Sequence, residues 1–145
     1  MTTVLQRAEK RTTVADQRPR VLIVDDEEVL RMLLADICIE HGWDVVVAAT
    51  ADDALLAAGM QDMSLVLLDL HLRATNGDPL DTLRALRVIT PATPIVLVTG
   101  EDREALGRPV AEAGGQEVVA KPCSVTEMAA VLRRYTPAPI GEVAQ

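Results

Sequence analysis

Short runs of apolar residues recur along the chain and are separated by longer segments with helical spacing. Runs of this kind, without polar alternation, are typical of strands buried on both faces, as in parallel sheets. The pattern predicts five strands, at 21–24, 45–47, 65–69, 95–99 and 118–120. It predicts five helices, at 28–41, 50–58, 78–89, 102–113 and 124–135. Strands that alternate with helices indicate an α/β fold with a doubly wound, five-stranded parallel sheet.

Local signals mark the starts of three helices. Thr50 is placed to cap the second helix, and Asp78 followed by Pro79 is a typical start for the third. Residues 124–127 read Ser-Val-Thr-Glu, the form of a capping box, before the last helix.

Glycine and proline predict where helices end or fail. Gly42 and Gly59 are expected to end the first and second helices. The fourth helix contains Gly107 and Pro109, which are expected to break or delay it.

The chain has 145 residues, of which 49% are hydrophobic and 25% charged, as in a single globular domain. We expect the domain to cover residues 19–135, with a flexible N-terminal extension at 1–18 and a C-terminal tail at 136–145. No apolar run is long enough to cross a membrane, and the N-terminus lacks the apolar stretch of a secretory signal. A cytoplasmic protein without a membrane partner is therefore expected.

Charge is unevenly distributed. Residues 1–20 contain five basic and two acidic residues, whereas the remainder contains nine basic and twenty acidic residues. An acidic body without a basic stripe argues against direct nucleic-acid binding. It favours a cation and protein partners.

Two predicted strands deliver carboxylates to one edge of the sheet. Asp25 and Asp26 directly follow the first strand, and Asp69 ends the third. Ligands of open α/β sheets bind at the carboxyl ends of the strands. Two carboxylates about 4 Å apart repel each other by about 4 kcal/mol at an effective dielectric of about 20. A retained proton or a divalent cation would relieve this, and Mg²⁺ suits such an oxygen site. Taken alone, the Asp25-Asp26 pair could equally cap the helix that follows.

Two further strand ends carry polar side chains. The fourth strand ends on Thr99, and the Gly100 that follows leaves room for a ligand. The fifth strand ends just before Lys121, which is the only lysine apart from Lys10. A single lysine at a sheet edge opposite three acids is expected to be their counter-charge.

The order of these residues resembles that of the receiver domain of two-component response regulators, over about residues 19–135. The resemblance implies a flavodoxin-like receiver fold in which Asp69 is the phosphoacceptor and becomes a 4-aspartylphosphate. It implies that Mg²⁺ is bound by Asp25, Asp26, Asp69 and the backbone carbonyl of His71. It implies that Thr99 and Lys121 contact the phosphoryl oxygens, so that Asp69, Thr99 and Lys121 are the catalytic residues. A carboxylate can serve as a covalent nucleophile, and phosphoryl transfer asks mainly for positioning and charge neutralisation.

Three positions depart from the family pattern. Arg73 stands where the family usually has proline, and Val118 stands where many members carry tyrosine or phenylalanine. Pro109 interrupts a helix that is commonly part of the output surface. These departures leave the phosphorylation residues in place. They predict that the signal does not leave through the usual aromatic side chain.

The predicted function is that of a single-domain response regulator. It would accept a phosphoryl group from a sensor histidine kinase or a phosphotransfer protein and later hydrolyse it. It would signal to a downstream protein by phosphorylation-dependent binding or by phosphorelay, and could form a homodimer. It would not be a classical enzyme, since it catalyses only its own phosphorylation and dephosphorylation.

Two other functions are open. A degenerate receiver would act as a docking module that is independent of phosphorylation. A magnesium-dependent phosphatase with an aspartyl nucleophile would use His71 where such enzymes commonly have a second aspartate.

Overall fold

A computed structural model of the chain describes residues 18–72 and 77–137. Its strands are β1 (Arg20–Val24), β2 (Asp44–Ala48), β3 (Leu65–Asp69), β4 (Ile95–Thr99) and β5 (Glu117–Ala120). Its helices are α1 (Glu28–Glu40), α2 (Ala51–Met60), α3 (Asp81–Ile89), α4 (Arg103–Ala113) and α5 (Val125–Arg134). The predicted extension at 1–18 and tail at 136–145 lie almost wholly outside the described residues, as does Arg73.

The five strands form one parallel sheet in the order β2-β1-β3-β4-β5, which confirms the predicted fold class. In this register Val24 pairs with Leu68, and Asp69 pairs with Val98. The residues that follow β1, β3 and β4 therefore reach the same edge of the sheet at nearly the same level.

Helices cover both faces of the sheet because alternate strand residues point to opposite sides. One face packs against α2, α3 and α4 and contains Leu22, Val66, Leu68 and Leu97. The other packs against α1 and α5 and contains Val21, Ile23, Leu67 and Val96. This two-sided burial explains the uninterrupted apolar runs in the strands. Among the described residues, no helix is long and apolar enough to span a membrane.

Two of the three predicted helix starts are confirmed by side-chain hydrogen bonds. Thr50 Oγ1 accepts from the backbone N–H of Asp53, and Ser124 and Glu127 form a reciprocal capping box. The third predicted start, at Asp78, is wrong by three residues: α3 begins at Asp81, and Asp78 Oδ1 instead accepts from the N–H of Leu80 at 2.9 Å. The residues 78–80 form a capped turn that leads into the helix.

One predicted helix end and one predicted helix break are wrong. Gly59 lies inside α2, which continues to Met60 and ends where Gln61 becomes extended. Pro109 lies inside α4, which is continuous from Arg103 to Ala113. The hydrogen bond that proline cannot donate would go to the carbonyl of Ala105, an exposed residue where water can replace it.

Two glycines fix the end of α4. Gly114 has a left-handed φ of 105°, which favours glycine. A Cβ on Gly115 would lie 2.5 Å from a methyl carbon of Val110, so this position has no room for a side chain. The helix is therefore ended by backbone geometry after Ala113, and not by the proline within it.

Arg87 joins several elements at the sheet edge opposite the carboxylates. Its Nη2 donates to the carbonyl of Gly114 at 2.6 Å, and its Nη1 donates to the carbonyls of Thr90 and Thr93 at 2.8 and 2.7 Å. These carbonyls belong to the ends of α3 and α4 and to the segment that enters β4. One guanidinium thus satisfies backbone groups from three segments.

We expect Arg87→Ala to lower the free energy of unfolding by about 3 kcal/mol, because it removes several charge-assisted hydrogen bonds to backbone carbonyls. Urea denaturation followed by circular dichroism measures this. The control is Arg84→Ala on the same helix, where the guanidinium pairs only with the exposed carboxylates of Asp78 and Asp81. The free energy of unfolding should fall clearly less in Arg84→Ala than in Arg87→Ala. Equal losses in the two variants would contradict the role given to Arg87.

Candidate functional site

Three carboxylates meet at the carboxyl edge of the sheet. Asp25 follows β1, Asp69 ends the adjacent β3, and Asp26 lies beside them. One oxygen of each lies within 4.8 Å of the others. Asp25 is 1% exposed and Asp69 is 6% exposed, whereas Asp26 is half-buried. The structure therefore brings together the three acids that the sequence placed at strand ends.

The turn after β1 is held by backbone hydrogen bonds. The N–H of Asp25 donates to the carbonyl of Ala48 in β2 at 3.1 Å. Asp25 Oδ1 accepts from the N–H of Glu27 at 2.9 Å, and the carbonyl of Asp25 accepts from Nη1 of Arg31 at 2.8 Å. Asp25 is thus fixed at its amide, its carboxylate and its carbonyl.

Lys121 reaches the acids from the end of β5. Its Nζ lies 3.1 Å from Asp25 Oδ2, 3.3 Å from Asp69 Oδ1 and 3.9 Å from Glu27 Oε1. Its backbone N–H donates to the carbonyl of Thr99 at 2.8 Å, and its peptide bond to Pro122 is cis. The predicted counter-charge is therefore in contact with two of the three acids.

Burial and charge shift the pKa values of the contacting groups. Burial raises the pKa of Asp69, and the charge of Asp25 adds to the rise, while Lys121 and the N–H of His71 oppose it. Burial alone would lower the pKa of Lys121, but the hydrogen bond and charge of Asp25 and the charge of Asp69 outweigh it and raise that pKa. Lys121 therefore stays protonated, and by itself it cannot neutralise three carboxylates.

The donor set fits a hard divalent cation. The clustered atoms are carboxylate oxygens, which are the ligands that Mg²⁺ prefers, and they lack a second contacting ammonium among the described residues. A magnesium ion would add two positive charges beside the three carboxylates. The orientation of the His71 carbonyl toward this position stays a prediction.

Thr99, His71 and Glu101 lie around Asp69. Thr99 is 1% exposed at the end of β4, and its Oγ1 accepts from the N–H of Glu101 at 3.3 Å. The N–H of His71 donates to Asp69 Oδ1 at 3.2 Å. The exposed side chains of His71 and Glu101 contact each other through Nε2 and Oε2. This pair joins the loops that follow β3 and β4.

Val118 is buried in β5 on the side of α2, α3 and α4. A groove of about 470 Å³ runs beside it and is lined by Arg103, Glu104, Gly107, Glu117 and Val118. The only tyrosine, Tyr135, lies at the end of α5 and donates its hydroxyl to the carboxylate of Glu117. No described aromatic side chain therefore lines the groove.

The sequence reasoning missed Glu27 and Arg31. Glu27 is a third carboxylate near Lys121, and its signal is the unbroken acidic run that begins at Asp25. Arg31 lies in the second turn of α1, and its contact with Asp25 had no signal beyond its position on the helix that follows the acids.

Comparison with known proteins gives a consistent result. Residues 21–133 match the family model of the response regulator receiver domain. The chain is 36% identical over 120 residues to the probable transcriptional regulatory protein TcrX of Mycobacterium tuberculosis, covering 82% of this chain and 50% of TcrX.

Two solved structures extend the comparison. The receiver domain of NtrX from Brucella abortus has a TM-score of 0.73 and 29% identity, covering 79% of this chain and 96% of that chain. A response regulator from Burkholderia pseudomallei, solved with a phosphorylated aspartic acid, a calcium ion and citrate, has a TM-score of 0.70 and 27% identity. The match covers 87% of this chain and 71% of that chain.

The match spans half of TcrX and about a quarter of the next two curated relatives. The similarity therefore concerns one domain of those proteins.

Without divalent metal at neutral pH, Asp69→Asn should raise the free energy of unfolding, because it removes an ionised carboxylate whose pKa is raised by folding. Protonation of such a carboxyl group stabilises the folded state. This stabilisation is fully present below the pKa of the unfolded state and is lost as the pH rises through the pKa of the folded state. The advantage of the variant should therefore shrink as the pH falls from 7 toward 4. Chemical denaturation in chelator at several pH values measures it, with the exposed Asp36→Asn as control. A variant less stable than the wild type at neutral pH would contradict the assigned shift.

Proposed function

This chain belongs to the response regulator receiver domain family, and we propose that Asp69 accepts a phosphoryl group from a phosphohistidine donor in a magnesium-dependent reaction. The observation that carries the proposal is the site itself. A buried carboxylate at the end of β3 lies beside two further acids and 3.3 Å from a protonated lysine. The Burkholderia relative supports it, since that protein was solved with a phosphorylated aspartic acid and a bound divalent cation.

We assign four groups to the binding of Mg²⁺, namely the carboxylates of Asp25, Asp26 and Asp69 and the backbone carbonyl of His71. The bound ion would neutralise charge on the phosphoryl oxygens. The residues divide the remaining work between them. Asp25 and Asp26 provide negative charge for the metal, and Lys121 provides positive charge for the phosphoryl group.

The nucleophile is one oxygen of Asp69. Both hydrogen-bonding contacts of this carboxylate among the described residues fall on Oδ1, from Lys121 and from the N–H of His71. This leaves Oδ2 for the phosphorus. A new O–P bond forms as the P–N bond of the donor breaks, and the imidazole nitrogen of the donor keeps the electron pair. The product is an aspartyl phosphate, and water later attacks its phosphorus to release inorganic phosphate.

Thr99 would contact the phosphoryl group once it has been transferred to Asp69. We assign its hydroxyl to a phosphoryl oxygen of the product. Since Oγ1 now accepts from the N–H of Glu101, movement of the hydroxyl toward the phosphoryl group would change the loop before α4. This route does not require an aromatic side chain at position 118. It is the output path that we propose for this chain.

Partners follow from the same proposal. The donor is a sensor histidine kinase or a phosphotransfer protein. The exposed apolar residues Val29, Met32 and Leu33 lie on the outer face of α1, directly after the acidic turn, and would pack against the donor. The phosphorylated form would bind a downstream protein or pass its phosphoryl group onward.

Intact mass after incubation with acetyl phosphate and Mg²⁺ tests the reaction. The wild type should gain the mass of one phosphoryl group, and Asp69→Asn should gain none. Asp26→Ala should keep the fold but need more magnesium, because it removes one of the clustered carboxylates. A wild type that stays unmodified would instead favour the docking module, and a modified Asp69→Asn would place the acceptor elsewhere.

The His71–Glu101 pair should control the lifetime of the phosphorylated state. We assign to these side chains the two sides of the path by which water reaches the phosphorus, since their contact joins the two loops beside Asp69. We expect His71→Ala and Glu101→Ala each to shorten the half-life several-fold without preventing phosphorylation, because either change opens the path. The measurement is loss of the phosphoryl mass with time, with Glu104→Ala on α4 as control. Half-lives equal to that of the wild type would argue against the pair.

A further inference from the structure

Arg31 contacts the backbone of the site, and no contact between its guanidinium and the clustered carboxylates occurs among the residues that the structure describes. It lies half-buried in the second turn of α1, and its Nη1 donates to the carbonyl of Asp25 at 2.8 Å. We propose that Arg31 is a positioning residue that holds the turn at Asp25 and Asp26 in the conformation that binds magnesium. The inference rests on the magnesium-dependent function proposed above.

The carbonyl that Arg31 holds belongs to the peptide group between Asp25 and Asp26. This peptide group is planar, so a hydrogen bond to its oxygen restrains the orientation of the whole group. The plane sets the direction in which the chain leaves Asp25 and enters Asp26. One hydrogen bond therefore constrains the backbone beneath two of the three clustered carboxylates.

No other hydrogen bond to this carbonyl occurs within the described parts of the chain. Asp25 is 1% exposed, so water has little access to replace a lost donor. A buried carbonyl without a donor is costly, and the turn would shift to satisfy it. The other bonds of Asp25, to Ala48 and Glu27, hold its amide and its carboxylate and leave the carbonyl free to turn.

The chemistry of arginine suits this role. The guanidinium stays charged at all relevant pH values, so it adds positive charge near the acids without occupying a carboxylate oxygen. Lys121 differs, because its ammonium contacts Asp25 and Asp69 directly. A helix-surface pair between Glu27 and Arg31 is the simpler interpretation of their spacing. The described contact of the guanidinium is instead with the backbone of Asp25.

The test compares Arg31→Met, Arg31→Gln and Arg31→Lys in the full chain, with the exposed Arg108→Met on α4 as matched control. Calorimetric titration with magnesium chloride gives the metal affinity, and thermal unfolding in chelator gives the stability without metal. Phosphorylation by acetyl phosphate is measured at limiting and at saturating magnesium.

We expect Arg31→Met and Arg31→Gln to bind magnesium about tenfold more weakly, the scale usual for residues that support metal ligands. Arg31→Lys, which keeps a charge and a donor, should recover part of this loss. Saturating magnesium should restore the phosphorylation rate of all three variants, and Arg108→Met should resemble the wild type throughout.

The two proposals fail differently. If the wild type binds magnesium and either neutral variant binds it equally well, the positioning role is overturned and the proposed function stands. The same holds if a neutral variant loses stability in chelator but keeps its magnesium affinity. If the wild type itself neither binds magnesium nor becomes phosphorylated, the proposed function is overturned, and this inference with it.

Discussion

The arrangement of this domain depends on the cost of holding Asp25 and Asp69 as buried carboxylates on adjacent strands. Each is almost fully buried, and each contacts the single ammonium of Lys121. Removing Lys121 would take away the counter-charge that both buried carboxylates contact, and breaking a buried ion pair in this way is strongly destabilising. The local structure offsets this cost, because Lys121, the residue that directly follows β5, lies within contact distance of both acids. Backbone N–H groups of Glu27 and His71 also donate to their oxygens.

A parallel sheet is a suitable support for such a cluster. All its strands point the same way, so their ends present side chains at one edge while the apolar runs behind them are packed on both faces. The sheet edge opposite the carboxylates stabilises the fold. There Arg87 donates hydrogen bonds to the carbonyls of Thr90 and Gly114, the residues that follow α3 and α4. The residues that stabilise the fold by apolar packing are therefore different from those that form the acidic site. The edge of the sheet can hold charged side chains that would be too costly inside the core.

The strands and the acidic cluster could be predicted from the sequence because both depend on one simple feature, an apolar run that stops at a polar residue. The end of helix α2 and the unbroken course of helix α4 could not. Tertiary packing overrides the helix-breaking tendency of Gly59 and Pro109, and the carbonyl of Ala105, which loses its donor to Pro109, belongs to an exposed residue. Arg31 was missed for another reason. Its partner is a backbone carbonyl, and every residue has one, so no spacing of side chains reveals the contact.

The continuous course of α4 changes how a signal would leave the site under the proposed function. A break at Pro109 would have let the segment after Thr99 rearrange alone. With α4 intact, the connection from Thr99 to the helix is short: its hydroxyl accepts from Glu101, and the next residue, Asp102, caps α4 through the N–H of Glu104. A shift of the Thr99 hydroxyl therefore acts on the start of a whole helix. That helix borders the groove beside Val118, and under the proposed function this groove is the space into which α4 would move.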